Sequence, residues 1–233
     1  MDDRDLEAFA RAWHERPDGW SGRRYTDALV DAGRLDEAAA VCEAMWALGY
    51  PAGLTDLAWL ERDRGAVDRA VALMRRALPE LDDEDRPLAE GVLGHWLWYL
   101  EHDADAEPHL RAGCAAYPSA RVDLAGLLRA TGRAEEGRGV LEAGVAAGEV
   151  ESMLPLANLL DEEGDPARAE ALYRRAYEAG DAYSAWNLAV MLDGRGRREE
   201  ASAWRWRAAQ GGDELAIRHL ADDEDDGPAT LRD

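Results

Sequence analysis

The sequence predicts an all-α fold, a right-handed α-solenoid of about six antiparallel helix-turn-helix repeats with a capping helix at each end. The first supporting observation is composition: alanine, leucine, glutamate and arginine, which favour helices, are abundant, whereas strand-forming isoleucine and threonine are scarce. The second is self-similarity, because residues 153–221 repeat with an offset of 32 residues. A repeat of about 20 to 50 residues is typical of solenoids.

The repeat is clearest between residues 153 and 212. Leu156 and Ala157 in one copy correspond to Leu188 and Ala189 in the next. The further matches are Leu160 with Leu192, Gly164 with Gly196, Ala169 with Ala201, Ala176 with Ala208, and Gly180 with Gly212. Small residues recur where two helices cross closely, and larger residues fill the space between them. The pattern therefore predicts helical hairpins packed side by side.

The same period extends over most of the chain and divides it into three parts. We expect residues 1–19 to form an N-terminal capping helix and residues 20–221 to form the repeat array. Residues 222–233 are expected to be a disordered acidic tail, since they carry six acids and one arginine. The predicted hairpins span 20–50, 51–80, 81–117, 118–148, 149–180 and 181–212, followed by a C-terminal cap at 213–221. One acidic connection, residues 80–86, lengthens an offset and predicts an exposed loop or a longer helix.

The spacing resembles that of tetratricopeptide repeats and the related Sel-type repeats. The tetratricopeptide pattern has Leu-Gly in the first helix and a small residue followed by a large one in the second. Here Leu93-Gly94 and Leu156-Ala157 stand at the Leu-Gly position, and Ala169 follows twelve residues after Ala157. The period is two residues shorter than the family's usual length of about 34. The resemblance implies that the first helix of each hairpin lines a concave groove in which a partner binds.

Charge limits the classes of partner and compartment. The net charge is −22, from 49 acids against 27 bases that are all arginine. Such a surface repels phosphate, which disfavours nucleic acids and anionic membranes and favours a basic or amphipathic protein or peptide. High acidity also simply keeps proteins soluble. An acidic start and the lack of an apolar run of about 18 residues predict a cytoplasmic protein, in which Cys42 and Cys114 remain reduced.

Catalytic and metal-binding motifs are scarce. The sequence contains no Gly-x-Ser-x-Gly, no glycine-rich loop ending in lysine and no His-Glu-x-x-His. His95, His102 and His109 are evenly spaced by seven residues, which is about 10.5 Å along a helix and too far for the first two to share a metal. His102 and His109 fall across a turn and could meet, but no further ligand completes a set. We therefore expect no enzymatic activity, no cofactor and no metal.

The resemblance places a groove wall around the Leu-Ala position of each first helix. Residues one and four after this position, and three before it, point inward, and they include Arg23 and Thr55. Aromatic and arginine side chains supply most binding energy at interfaces. The tryptophans could instead pack between repeats, because tryptophan is highly buried on average. The predicted groove residues are Trp59, Arg62, His95, Trp98, Tyr99, Arg129, Asn158, Asp161, Tyr183 and Trp186.

Three functional hypotheses follow from these features. The leading one is a non-enzymatic scaffold that binds a protein or peptide in the groove. A second is an acidic inhibitor or immunity-type protein that neutralises a basic enzyme through acids such as Asp161, Glu162 and Asp193. A third is a regulatory helper module of a larger assembly.

Overall fold

The structure, a computed structural model, describes residues 3–101, 103 and 105–225. This part of the chain contains fourteen α-helices, one 3₁₀ turn at Leu78–Glu80, and no strand. The helices are α1 (Asp3–Glu15), α2 (Gly19–Asp31), α3 (Leu35–Ala47), α4 (Ala52–Asp63), α5 (Val67–Ala77), α6 (Arg86–Glu101), α7 (Ala106–Gly113), α8 (Pro118–Ala130), α9 (Ala134–Ala147), α10 (Met153–Glu162), α11 (Pro166–Glu178), α12 (Ala182–Gly194), α13 (Arg198–Gln210) and α14 (Glu214–Asp225). The prediction of an all-α helical repeat is confirmed.

The chain forms two compact units, Met1–Leu127 (unit 1) and Leu128–Asp233 (unit 2). In unit 1, α2 packs on α3, α3 on α4, α4 on α5, α5 on α6 and α6 on α7. In unit 2, consecutive helices from α9 to α14 pack on one another in the same way. Within each unit these helices therefore pack on their neighbours in sequence, as in a stack of helical hairpins.

Glycines with positive φ mark the turns at the period found in the sequence. Gly132, Gly164 and Gly196 end successive first helices 32 residues apart, with φ values of 80°, 84° and 76°. Glycine adopts this left-handed conformation without a steric penalty, which makes it the usual residue just after a helix. The other described glycines of this kind are Gly33, Gly49, Gly65, Gly148, Gly180 and Gly212. The sequence period is thus the period of the backbone turns.

Small side chains occupy the helix crossings. Ala157 and Ala169 are fully buried between α10 and α11, and Ala189 and Ala201 are fully buried between α12 and α13. Leu188, at 0% exposure, fills the adjacent space, and burying a leucine side chain contributes about 1.5–3 kcal/mol. The alternation of alanine and leucine in sequence is therefore the packing pattern of the core.

Single helices lie before and after the hairpins. Helix α1 packs on α2 through Trp13, which is buried in the core of the first hairpin. Helix α14 packs on α13 and continues to Asp225, so residues 222–225 of the predicted tail are helical. The remainder of that predicted tail, residues 226–233, lies outside the described residues.

The acidic connection is built from both of the expected elements. After the 3₁₀ turn, Leu81 is buried while residues 82–85 are exposed. The Asp82 carboxylate accepts hydrogen bonds from the backbone amides of Glu84 and Asp85. Helix α6 then runs for 16 residues and is the longest of the described helices. The extra residues therefore form a loop and also lengthen the following helix.

Helices α6 and α7 approach each other more closely than a β-carbon allows. A β-carbon on Gly113 would lie 2.0 Å from the backbone nitrogen of Gly91, so the two backbones would have to separate. We expect Gly113→Ala to lower the free energy of unfolding by about 1–3 kcal/mol, measured by urea denaturation followed by circular dichroism. Gly139→Ala is the control, because nothing lies within 4 Å of its added carbon, and it should stabilise helix α9 by about 0.5–1 kcal/mol. Equal effects of the two substitutions would contradict the close crossing.

The two cysteines differ in reactivity. Cys42 is fully buried beside the Thr26 hydroxyl, and burial raises the pKa of its thiol to about 12. Cys114 is only half-buried. Because the thiolate is the reactive form, a maleimide reagent at mildly alkaline pH should modify Cys114 and spare Cys42, as read by mass spectrometry. Both should react in denaturant, and equal labelling of the folded chain would show that Cys42 is accessible.

Candidate functional site

Helices α2, α4 and α6 border a partly open cavity of about 170 Å³ in unit 1, which we call the Trp59 cavity. Thr55, Asp56 and Trp59 reach it from one face of α4, because residues three and four apart lie on the same side of a helix. The same spacing brings Leu88 and Val92 to it from α6. The apolar part of its wall is completed by Ala52, Met74, Leu81, Ala89 and Tyr117.

A larger and more open cavity of about 560 Å³ adjoins the first, and we call it the outer cavity. The two cavities share Arg23, Ala52, Leu81 and Asp85 in their walls. The outer cavity is bordered further by Trp20, Arg24, Asp27, Tyr50, Glu80 and Asp82. An apolar space therefore lies directly beside a space lined mainly by charged and aromatic side chains.

A bidentate ion pair joins α2 to α4 at the boundary of the two cavities. Arg23 donates from Nε and Nη2 to the Asp56 carboxylate, at 3.3 and 3.1 Å. The Asp56 side chain is 17% exposed and that of Arg23 is 53% exposed. Burial raises the pKa of Asp56 in spite of the arginine, with Asp27 and Asp85 acting in the same direction. The hydrogen bond to Asp56 raises the pKa of Arg23, so the guanidinium stays charged.

Trp59 is held by contacts on two sides. Its ring meets the fully buried Trp96 edge-to-face, with 5.0 Å between the ring centroids. The Arg62 guanidinium carbon lies 4.9 Å from the Trp59 ring centroid, a cation–π contact, and Arg62 also pairs with Asp63. Trp59 is half-buried. Trp59 therefore packs against a buried residue of the next hairpin and also lines a cavity, so both of the roles expected from the sequence apply to it.

The other predicted residues of unit 1 lie along α6. His95 Nδ1 is 2.6 Å from the Asp123 carboxylate, and its ring stacks on Tyr99 at 5.3 Å between centroids. Tyr99 is 65% exposed, and Trp98 is half-buried beside Gly126. These residues form a second aromatic group on the same helix as Leu88 and Val92, although none of them lines the Trp59 cavity.

The histidine cluster does not assemble a metal site in the described residues. His109 Nδ1 lies 2.5 Å from the Glu90 carboxylate, whereas His95 pairs with Asp123. His102 is outside the described residues. In the part of the chain that the structure describes, no group of three or more His, Cys, Asp or Glu side chains is placed to hold a metal ion.

In unit 2, the predicted groove residues on α10 already have partners. The Asn158 side-chain oxygen accepts a 2.7 Å hydrogen bond from the Tyr173 hydroxyl. Burial raises the pKa of Tyr173 to about 12, so its hydroxyl remains a donor at neutral pH. Asp161 forms an ion pair with Arg195. These contacts join α10 to α11 and to the residue that follows α12.

Further acids of unit 2 are paired in the same way. Arg129 and Glu162 form an ion pair at 2.9 Å, and Arg205 donates to Asp193 at 2.7 Å. The last two predicted residues differ in exposure, because Tyr183 is 67% exposed whereas Trp186 packs half-buried on the alanine cluster around Ala208.

The structure adds candidate site residues that the sequence pattern omitted. Asp56, Leu88 and Tyr117 line the Trp59 cavity, and none of them stands at the three positions counted from Leu-Ala. Asp56 was detectable, since it lies one helical turn before Trp59. Leu88 follows the irregular connection and Tyr117 precedes α8, where the 32-residue register is interrupted. Arg23 and Thr55, which the pattern did place inward, are part of the cavity wall.

Three segments in the C-terminal half of the chain carry a recognisable sequence signature. A family model described as tetratricopeptide repeat matches residues 118–143, 150–175 and 182–205, whose starting points are 32 residues apart. Residues 118–205 therefore contain three segments similar to tetratricopeptide repeats. A search of curated protein sequences found none that matches it. Within the described residues, no helix has the length and apolar character needed to cross a membrane.

Solved structures share the tetratricopeptide-type fold. A Sel1 repeat protein from Oxalobacter formigenes aligns with a TM-score of 0.63 and 20% identity, over 84% of this chain and 86% of the other. PilF from Pseudomonas aeruginosa gives 0.66 and 14%, over 95% and 98%. The Cut9–Hcn1 hetero-tetramer of the APC/C gives 0.67 and 11%, over 94% and 46%. At these identities the similarity establishes the fold.

Removing Arg23 should destabilise the protein in a pH-dependent way. Arg23→Ala leaves the Asp56 carboxylate buried without its partner, which should lower the free energy of unfolding by about 1–3 kcal/mol at neutral pH. A carboxyl whose pKa is raised by folding loses stability as the pH rises from its unfolded pKa through its folded pKa. The deficit should therefore shrink as the pH falls through the raised folded pKa of Asp56 towards the ordinary aspartate value of about 3.9. Urea denaturation over a pH series measures this.

The double substitution Arg23→Ala with Asp56→Asn is the control for that experiment. It removes the titrating group together with its partner, so the variant should lose the additional pH dependence. A deficit in Arg23→Ala that is the same at every pH would show that Asp56 is not its cause.

Proposed function

We propose that this tetratricopeptide-type protein is a non-enzymatic scaffold that binds a peptide segment of a partner protein on the α2, α4 and α6 face of unit 1. The Trp59 cavity carries the proposal, since it is a preformed apolar space beside exposed charge. Binding sites combine such an apolar space with a few polar groups that fix orientation. The predicted groove residue Trp59 borders this cavity together with Arg23 and Thr55, for which the repeat pattern predicts inward positions. This agreement supports the cavity as the binding site.

Preorganisation favours unit 1 over unit 2 as the main binding face. Trp59 is fixed between Trp96 and Arg62, so little side-chain entropy is lost when a ligand contacts it. In unit 2 the polar groove residues Asn158 and Asp161 are engaged with neighbouring side chains, and a ligand would have to compete for them. The assembly named for one structural relative, the Cut9–Hcn1 hetero-tetramer, is consistent with a protein partner.

The inhibitor hypothesis receives no comparable support from individual residues. The acids that it would use, Asp161, Glu162 and Asp193, each pair with an arginine of unit 2. Exposed ion pairs are worth only about 0–1 kcal/mol, so a basic enzyme could displace them. However, nothing in their arrangement is specific for such an enzyme. This hypothesis therefore serves as a competing outcome in the test of the scaffold.

A library of short random peptides, selected on the immobilised full chain, tests the scaffold function. Peptides that are retained should bind about tenfold more weakly to Leu88→Ala, because the substitution removes apolar surface from the cavity wall. Leu88 is 48% exposed, so this loss should occur without unfolding. Trp59→Ala should have at least the same effect. Fluorescence anisotropy gives the affinities, and circular dichroism checks the fold.

Trp206→Ala is the control, because Trp206 is a tryptophan, 56% exposed, that lies on α13 in unit 2 and lines neither cavity. It should leave the selected peptides unaffected. The proposal would be contradicted if no peptide were retained, or if the retained peptides bound both cavity variants as tightly as the unmodified chain. The inhibitor hypothesis predicts a different result. The chain would bind a basic protein, reversing the charges of Asp161, Glu162 and Asp193 would abolish that binding, and the cavity variants would not change it.

A further inference from the structure

Building on the proposed function, we infer that the recognised peptide carries one large apolar side chain flanked by arginine or lysine. The apolar side chain enters the Trp59 cavity, and a cationic side chain lies in the outer cavity near Asp27 and Asp85. The two adjoining cavities, one apolar and one acidic, carry this inference together.

The size of the Trp59 cavity suits a single side chain. Its volume is about 170 Å³. An apolar protein cavity of about 150 Å³ is large enough to bind benzene, so one side chain of leucine size fits here. Leu81, Leu88 and Val92 offer an apolar wall, and Leu88 is 48% exposed at its edge. A ligand side chain would remove this exposed surface from water, which is a favourable change.

The charge beside the cavity selects a cation. Arg23 lies near three carboxylates, those of Asp56, Asp27 and Asp85, and each of them raises the pKa of its guanidinium. One positive and three negative charges leave a local formal excess of two negative charges. Arg23 is committed to Asp56 through two hydrogen bonds, and none of the ion pairs of the described residues involves Asp27 or Asp85. A second cation would therefore be attracted to these two acids.

The second arginine of the outer cavity is also engaged. The Arg24 guanidinium lies 5.4 Å from the Phe9 ring centroid and 5.6 Å from that of Trp20. Glu80 and Asp82 add further negative charge to the same wall. These negative charges would repel an acidic peptide and attract arginine or lysine. The cationic side chain could also contact the exposed Trp20 ring.

One continuous peptide can reach both spaces. The cavities share Arg23, Ala52, Leu81 and Asp85, so they adjoin each other. An extended peptide advances about 3.3–3.6 Å per residue. We therefore expect the apolar and cationic residues of a ligand to be close together in its sequence.

Three capped peptides of equal length test the inference with the full chain. The first has one leucine between arginines, the second has glycine in place of the leucine, and the third has glutamate in place of each arginine. The first should bind at least about tenfold more tightly than either of the others, as measured by fluorescence anisotropy. Its affinity should fall as ionic strength increases, because screening weakens the attraction to Asp27 and Asp85.

Two protein variants separate the two cavities. Thr55→Leu places a larger apolar side chain in the Trp59 cavity. Leucine favours helices, and the substitution removes only the local hydrogen bond from the Thr55 hydroxyl to the Ala52 carbonyl. It should weaken the leucine peptide about tenfold and leave the glycine peptide unchanged. Asp27→Asn with Asp85→Asn should weaken both arginine peptides and reduce their salt dependence. Circular dichroism verifies that each variant is folded.

The outcomes distinguish this inference from the scaffold proposal. Random peptides that are retained through the Trp59 cavity but show no preference for flanking cations would overturn the inference alone. A leucine peptide unaffected by Thr55→Leu, or bound equally with arginine and glutamate flanks, would also overturn it. If the random library yields no ligand at all, the scaffold proposal fails and the inference fails with it.

Discussion

The close approach of helices at fully buried alanines and glycines is the constraint on which the remaining structure depends. At Ala157 and Ala169, or at Gly91 and Gly113, no larger side chain fits between the two helices. The hairpin can close only with small residues there, and leucines then fill the space between neighbouring hairpins. Because each hairpin covers the next, stability arises from neighbouring contacts rather than from one central core.

This mode of packing leaves one face of the first helices free for polar and aromatic residues. On the face of unit 1 that bears the cavities, the Arg23–Asp56 ion pair connects the first helices α2 and α4. Trp59 packs edge-to-face on the buried Trp96. The ion pair is only partly exposed, so removing one partner has a larger effect than a surface pair would have. The irregular connection between the second and third hairpins contributes Leu81 and Asp85 to the wall of the cavity beside the ion pair.

The corresponding residues of unit 2 have a different role. Asn158, Asp161 and Arg129 are tied to Tyr173, Arg195 and Glu162, which joins the helices of that unit. Equivalent positions in the repeat therefore serve cohesion in one unit and border an open cavity in the other. The excess of acids over bases, 49 against 27, is compatible with both roles because arginines pair with many of these acids while leaving others exposed.

The sequence by itself determined the helical repeat, its 32-residue period and the small residues at the crossings, since these depend on local periodicity and on turns such as Gly164 and Gly196. The repeat pattern also predicted inner positions for Arg23, Thr55 and Trp59, which all line the Trp59 cavity. Only the tertiary structure decided that Arg23 meets Asp56, 33 residues away, and that Leu88 and Tyr117 complete the cavity. These contacts depend on how helices cross and on the path of an irregular connection, neither of which is encoded in a local pattern.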